Sequence, residues 1–373
     1  MRIGFVSTGH IQQNASTMRC LKLANYLLKD GHEVYLFISG NKENISRYGE
    51  IYNGIRMRYS LVGRTPLEQI TKTAILDHVK LDYIHCISSG SSVHFPGWLA
   101  KQHQRGRPCL IMDFDEWHSL WIRYPKCYYQ LAWEWFACKY SDRVIFASRY
   151  LLDHLGRFAQ PDRRFYLPYA VDWDQFVVDK VGWKQIRDRY PQRKLAVYLG
   201  TLLQQYRSNI EKVLEVVQTV HAIEPTVLFL FIGTGELKES LEQQVQEAGL
   251  SPWVQFLGYM SDRQMTQYLC AADVLLFPIE DTELNRSRCP SKVFLYLASQ
   301  RPIVTNPVGE VLNILGEHAV YFDFHSSKDF TEKIVGVLNN EAKPVFTESM
   351  IAQHTWSVRY EKYLQILTDT VIG

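Results

Sequence analysis

Short apolar runs alternate with longer segments whose apolar positions recur every three or four residues, from the start of the chain almost to its end. This rhythm constrains the fold more than any other feature. Ile3 to Ser7 reads as a strand buried on both faces, and Ser16 is placed to cap a helix carrying Met18, Leu21, Leu23, Ala24, Leu27 and Leu28. Gly31 is its stop, and Glu33 to Ile38 is the next strand. Ile55 to Ser60, Tyr83 to Ile87, Cys109 to Asp113 and Arg143 to Ala147 continue the strand series, with helices near 66–79, 94–104, 125–140 and 148–156. Strands that alternate with helices imply a parallel sheet covered on both faces.

The run from Pro168 to Asp172 breaks the rhythm, and a polar stretch to about Arg193 reads as an interdomain linker. A second block then opens. Leu195 to Leu199, Val227 to Ile232, Val254 to Leu257, Asp273 to Pro278, 302–305 and 319–322 read as strands. Helices are expected at Asn209 to Ala222, from Gly233-Thr234-Gly235-Glu236 to Gly249, from an Asp262 cap to Ala272, at 292–299 and near 310–315. A length of 373 residues suits two domains. The expected fold class is α/β, with two doubly wound parallel-sheet domains that face each other across a cleft. Residues 1–175, completed by a C-terminal helix at 356–373, form one domain, and 176–355 the other. Open sheets of this kind bind ligands at the carboxyl ends of their strands, where the strand order reverses.

Composition excludes several classes. Forty-one Lys and Arg against 39 Asp and Glu leave a net charge of +2, which gives no general reason to expect a nucleic-acid partner. The balance is uneven along the chain: residues 1–180 carry +6 and the rest −4. Seven cysteines without a C-x-x-C pair read as reduced thiols in a cytoplasmic protein. The opening MRIGFVSTGH is too short in apolar residues for a signal peptide, and no apolar run approaches the roughly 20 residues of a membrane span.

Several groups of residues can carry chemistry. Gly233 and Gly235 follow a strand and open a helix, where glycines either admit an anionic ligand or simply make a tight turn. Arg207, Arg286, Arg288 and Lys292 follow strands of the second block and suit a diphosphate, although each alone also reads as surface charge. Asp113, Asp115, Glu116 and His118 follow one strand of the first block and suit a base, a sugar-hydroxyl acceptor or a metal ligand, or else a helix cap. The segment WHSLWIRYPKCYYQLAWEWFACKY, from Trp117 to Tyr140, is rich in Trp and Tyr. Beyond Pro125, Gln130 and Glu134 form a narrow polar strip, so the helix reads as a buried core helix, with an aromatic acceptor surface as the other reading.

The order of these features resembles a GT-B fold glycosyltransferase, most closely glycosyltransferase family 4. The resemblance covers nearly the whole chain: GHEV, SDRVIFAS and LPYAVDWDQF, then VYLGTL, LFLFIGTGEL, VQFLGYMS, AADVLLFP and PSKVFLYLASQRPIVTNPVGEV, with Trp356 near the last helix. It implies a retaining enzyme that takes a UDP- or GDP-sugar as co-substrate, needs no cofactor and no metal, and holds the donor in the second domain. By this likeness Gly9 matches the loop that admits the donor, Arg207 and Lys292 the diphosphate cations, and Gly233, Gly235 and Glu236 the loop near the nucleoside. Asp115 lies where the family touches the sugar. Asp115, Arg207 and Lys292 are the expected catalytic set. Arg19, Glu116, Trp117 and His118 are placed toward a carbohydrate, lipid-linked or small-molecule acceptor. The basic first half and its aromatics lean toward an anionic or lipid-linked acceptor, and toward peripheral contact with an anionic membrane at its cytoplasmic face.

One departure stands out. The family's two glutamates, eight apart, fall on Ser287 and Leu295, and Thr201 stands where an Arg often follows Gly200. Leu295 cannot accept a ribose hydrogen bond. Either Asn285, Arg288 or Glu310 holds the donor instead, or the chain is a non-catalytic GT-B subunit that supports a partner transferase. A GT-B epimerase or a nucleotide-dependent oxidoreductase is a third reading, and the missing third Gly argues against the oxidoreductase.

Overall fold

A computed structural model describes residues 1–7, 15–62, 65–341 and 346–368. The chain divides into two units. The first takes in Met1–Tyr169, Ser287–Cys289 and the chain from Trp356 onward; the second takes in Ala170–Arg286 and Pro290–Thr355.

The first unit is built on eight strands: β1 (Arg2–Val6), β2 (Glu33–Ser39), β3 (Ile51–Tyr52), β4 (Ile55–Ser60), β5 (Tyr83–Ile87), β6 (Cys109–Phe114), β7 (Arg143–Phe146) and β8 (Arg164–Tyr166). Their order is β3-β4-β2-β1-β5-β6-β7-β8, and every described pairing is parallel except β3 with β4. The order reverses between β1 and β5. Ile3, Phe5, Val6, Leu110, Ile111 and Met112 are buried, because helices cover both faces of these central strands. The helix Trp356–Thr368 packs on the helix Ala15–Lys29: Tyr360 stacks on Tyr26 at 5.2 Å and its hydroxyl donates to Asp30 at 2.5 Å.

The second unit has β9 (Lys194–Leu199), β10 (Val227–Ile232), β11 (Val254–Gly258), β12 (Val274–Phe277), β13 (Ile303–Thr305) and β14 (Val320–Tyr321), in the order β11-β10-β9-β12-β13-β14 and all parallel. The reversal falls between β9 and β12. The core on one side of this sheet joins Val213, Val217 and Val220 of the helix Arg207–Ile223 to Phe229, Phe231 and Leu276.

The structure corrects several sequence expectations. The polar stretch read as a linker holds two helices, Trp173–Asp179 and Trp183–Arg189. They dock on the helix Asp262–Ala271, where Gln267 donates to the Val181 carbonyl at 2.7 Å, and on the bend after it, where Arg187 pairs with Asp273 at 2.8 Å. Each helix also buries one apolar anchor, Phe176 and Ile186, which a polar stretch hides from a periodicity reading. Ser261, not Asp262, is the N-cap of that helix, in a reciprocal capping box with Gln264. Ser16 lies inside its helix rather than at the cap. The structure adds helices at Lys42–Tyr48, Glu283–Ser287 and Ser327–Leu338 that the sequence pattern does not mark. Among the described residues no helix is long and apolar enough to cross a membrane.

Candidate functional site

In the second unit the reversal between β9 and β12 is marked by one cation. Lys292 opens the helix Lys292–Ser299, and its ammonium donates to the carbonyl of Leu199, the last residue of β9, at 2.7 Å. It also lies 4.7 Å from the ring centre of Phe277, the last residue of β12, and 5.1 Å from that of Tyr198. Two aromatic faces and a carbonyl thus hold a positive charge at the carboxyl ends of the central strands. Tyr296, one turn along the same helix, accepts from the Leu199 amide at 2.8 Å and locks the helix to β9.

Arg207 begins the helix Arg207–Ile223, half-exposed and paired with Glu211 at 2.7 Å. The next two residues tie this helix start to the loop after β12: the Ser208 hydroxyl donates to Glu280 at 3.1 Å, and the Asn209 side chain accepts from the Glu280 amide at 3.2 Å. The loop is braced further by Asn306, which accepts from the Ile279 amide at 2.9 Å and donates to the Phe322 carbonyl.

The glycine pair does not open a helix, because the helix begins only at Lys238. A Cβ on Gly233 would stand 1.9 Å from the Gly200 carbonyl oxygen, and one on Gly235 2.3 Å from that of Leu202. The loop after β10 lies directly on the loop after β9, with Leu202 donating to the Thr234 carbonyl and Leu237 to that of Leu202. The close backbone approach that requires glycine here is to the chain itself. Glu236 completes the lock by accepting from the Gln204 amide at 2.9 Å, and Thr201 sits exposed in the same turn.

Asn285 donates to the Glu280 carbonyl at 2.8 Å, and Arg286 makes two 2.6 Å contacts with Asp281. Gly309 presses against the Arg286 backbone, and Glu310 beside it is buried, accepting from Asn313 at 3.1 Å. Ser287 is buried, and its carbonyl accepts from the Ser148 hydroxyl at 2.7 Å. Arg288 pairs with Glu116 at 3.3 Å and lies over the ring of Trp121 at 5.3 Å.

In the first unit, β6 delivers two carboxylates with different surroundings. Asp113 is buried against Arg19, whose Nε is 2.9 Å away, and His85, whose Nε2 is 3.4 Å away. Arg19 also donates to the Leu167 carbonyl. Burial works against its charge, but Asp113 and Tyr169 more than offset that and raise its pKa. The sequence places Arg19 toward an acceptor; the structure makes it a buried cation paired with Asp113. Cys20, His85 and Asp113 bring three ligand-type atoms within 4.8 Å of one another, but the guanidinium already neutralises that carboxylate.

Asp115, two residues on, is also buried, with one oxygen engaged. Its Oδ2 accepts from the Ser16 hydroxyl at 2.5 Å and from Tyr169 at 2.9 Å; its Oδ1 has no hydrogen-bond partner among the described residues. Burial, then the adjacent Asp115 charge, raises the Glu116 pKa, while Arg288 pulls it back. Nδ1 of His118 and Nε1 of Trp121 are likewise buried without a described partner. Unpaired polar atoms at the carboxyl end of one strand are a place for a polar ligand. Gly9 lies outside the described residues.

Trp117 is not directed to an acceptor: its Nε1 donates to Glu134 at 3.1 Å. Glu134 also accepts from the Ser119 amide at 2.9 Å and hydroxyl at 2.8 Å. Burial raises the Glu134 pKa, and the bonds from Ser119 oppose the shift. The helix Lys126–Tyr140 therefore turns its acid inward with Ala137 and Cys138, while its tyrosines face solvent. The core-helix reading is reversed.

Residues 17–175 match the model of "Glycosyltransferase Family 4", and residues 193–340 that of "Glycosyl transferases group 1". The chain thus carries a glycosyltransferase family 4 domain followed by a group 1 glycosyltransferase domain. No curated protein matches it by sequence. Among solved structures, the Anabaena protein Alr3699/HepE in complex with UDP is similar at 12% identity and TM-score 0.75, over 98% of this chain and 99% of that one. Sucrose-phosphate synthase from Thermosynechococcus elongatus reaches TM-score 0.77 at 16% identity, over 98% of each chain. A Rickettsia africae glycosyltransferase reaches 0.76 at 12%, over 100% and 99%. At these identities the likeness is one of fold, and the fold is GT-B.

In this GT-B glycosyltransferase the sequence singles out Lys292 and Asp115 as candidates but does not show which residues hold them. Tyr198, Phe277 and Tyr296 around the lysine lie inside segments read only as strands and a helix. Ser16 read as a cap, and Tyr169 lies 54 positions from the carboxylate it contacts. Only the run of chemistry-bearing residues after β6 hinted at the second group.

Proposed function

We propose that the chain transfers a hexose-type unit from a nucleoside diphosphate sugar to a carbohydrate, lipid-linked or small-molecule acceptor, with retention at the anomeric carbon and without a metal ion. The observation that carries this reading is the Lys292 ammonium, held at the strand reversal of the second sheet by Leu199, Tyr198 and Phe277. A fixed cation there meets the negative charge that develops on a leaving diphosphate. Arg207, released from Glu211, adds a second charge at a helix start, where backbone N–H groups also favour an anion. Asp115 offers a sugar hydroxyl the oxygen that has no partner among the described residues. Glu310, a buried carboxylate next to Gly309, which packs on the Arg286 backbone, supplies the acceptor that Leu295 cannot. Glu116 and His118 stand on the acceptor side. The Anabaena relative was solved with UDP-glucose, which favours uridine as the base. All seven cysteines are free thiols, which suits a cytoplasmic site of action.

Calorimetric titration with UDP, GDP, UDP-glucose and GDP-mannose in EDTA tests this. Micromolar binding of one nucleotide series supports the donor site and names the base. Silence across the panel favours the second reading, a non-catalytic subunit, which Ser287 and Leu295 motivate by standing where the family's glutamates stand.

A further inference from the structure

The helix Lys126–Tyr140 and the turn before it present an exposed aromatic surface. Tyr124, Tyr128 and Tyr129 are 79%, 64% and 62% exposed, and Trp135 and Tyr140 are about two-fifths exposed. These rings do not stand alone. Tyr129 packs edge-on against Trp133 at 6.1 Å, Trp133 against Phe136 at 5.6 Å, and Phe136 against Trp98 at 5.3 Å. The outward rings are therefore mounted on a fixed aromatic layer.

The charge on this face has one sign. Arg123, Lys126 and Lys139 are exposed, and the sole acid between Trp117 and Ser141 is Glu134, buried and bonded to Trp117 and Ser119. The Lys139 ammonium lies over the Trp135 ring at 4.7 Å. A second apolar strip adjoins it: Leu61, Val62, Leu67 and Ile70 are exposed on and before the helix Thr65–His78. Gln69 donates to the Ser91 carbonyl at 3.0 Å and Gln130 to the Ser89 hydroxyl at 2.9 Å, so both helices meet on the one loop that follows β5.

We propose that this face docks on an anionic lipid bilayer. Tyr and Trp with an apolar body and a polar tip suit the headgroup level, and interleaved Lys and Arg with no exposed acid suit a negatively charged leaflet. A second copy of the chain fits poorly, because a two-fold contact would set Arg123, Lys126 and Lys139 against one another. The loops after β5 and β6 lie at the same edge, so docking brings the carboxyl ends of those strands, with Asp115, toward the membrane. The inference is independent of the donor reading, since it needs no nucleotide.

The test is co-sedimentation of the full chain with phosphatidylcholine vesicles, with and without 30 mol% phosphatidylglycerol, at low and high salt. Binding to the anionic vesicles alone, lost at high salt, is expected, with a blue shift in tryptophan emission. Lys126→Gln with Lys139→Gln weakens it about 25-fold, at roughly fivefold per cation near the surface. Tyr128→Ser with Tyr129→Ser removes the emission shift while the circular dichroism melt stays in place. Equal binding to neutral vesicles, or anionic binding that both double variants leave intact, overturns the proposal. A dimer in sedimentation velocity that the tyrosine variant dissolves, without vesicle binding by the wild type, assigns the face to a second copy instead.

Discussion

The Tyr169 hydroxyl donates to Oδ2 of Asp115 at 2.9 Å, and Ser16, from the first turn of the helix Ala15–Lys29, donates to the same oxygen at 2.5 Å. Both donors act on one oxygen, so the carboxylate cannot rotate and the other oxygen keeps a fixed direction.

Tyr169→Phe removes one of these donors and leaves the ring in place. The expected loss is about 1 kcal/mol of stability and about tenfold in kcat, because the carboxylate is freed to misalign. The KM for donor changes little. Asp115→Ala, folded, falls further in kcat than Tyr169→Phe. Steady-state kinetics with a thermal melt separates the two effects, and an unchanged kcat in Tyr169→Phe leaves Tyr169 with no positioning role.

Lys292→Ala and Arg207→Ala each remove a cation from the carboxyl ends of the second sheet. Loss of a charged donor at a developing anion costs about 2–4 kcal/mol of transition-state stabilisation. Lys292→Met keeps the stem packed on Tyr198 and Phe277, so it should lose activity as Lys292→Ala does while keeping more stability. Full turnover in both charge-removal variants overturns the diphosphate assignment.

How far the sequence alone reached depends on the range of the interaction. The strand Val227–Ile232 and the helix Lys292–Ser299 could be read to the residue, because a short apolar run and a local period define them. The helix Lys126–Tyr140 was also found, but with its faces reversed. Periodicity counts apolar residues and takes the polar strip to face water. Here Glu134 is drawn inward by Trp117 and Ser119, which lie in and just before a separate short 3-10 helix, His118–Trp121, outside the period of the helix itself. Arg19 failed for the same reason: its partner Asp113 is 94 positions away, so nothing local marks it as buried. Gly233 and Gly235 were legible as glycines that something must approach closely, but not as glycines approached by Gly200 and Leu202.

Arg19→Met tests the buried pair directly. It strands Asp113 without its cation in the core beside His85. Removing one partner of a buried pair costs about 3–5 kcal/mol. Adding Asp113→Asn, which removes the stranded charge, should restore part of that loss. Urea unfolding of the two variants measures both steps, and a single variant as stable as the wild type contradicts the assigned role.

His94 gives the fold a pH dependence that can be isolated. It is buried, its Nε2 meets the Ser141 hydroxyl at 2.9 Å, and burial pushes its pKa down to about 3. The unfolded chain titrates this ring near pH 6.5. Below that pH the unfolded state takes up a proton that the folded state refuses, so the stability is fully present above about 6.5 and is lost as pH falls toward 3. By pH 5 the loss is about 2 kcal/mol. Glu134, whose pKa burial raises, works the other way over part of this range, gaining stability as the pH falls. Asp113, held low by Arg19 and His85 against the cost of burial, loses stability only below about pH 4. The His94 contribution is therefore read as a difference. His94→Asn, unfolded in urea at pH 7.5 and pH 5, should lose about 2 kcal/mol less than the wild type between the two. Equal losses in both proteins would mean that His94 is protonated within the fold.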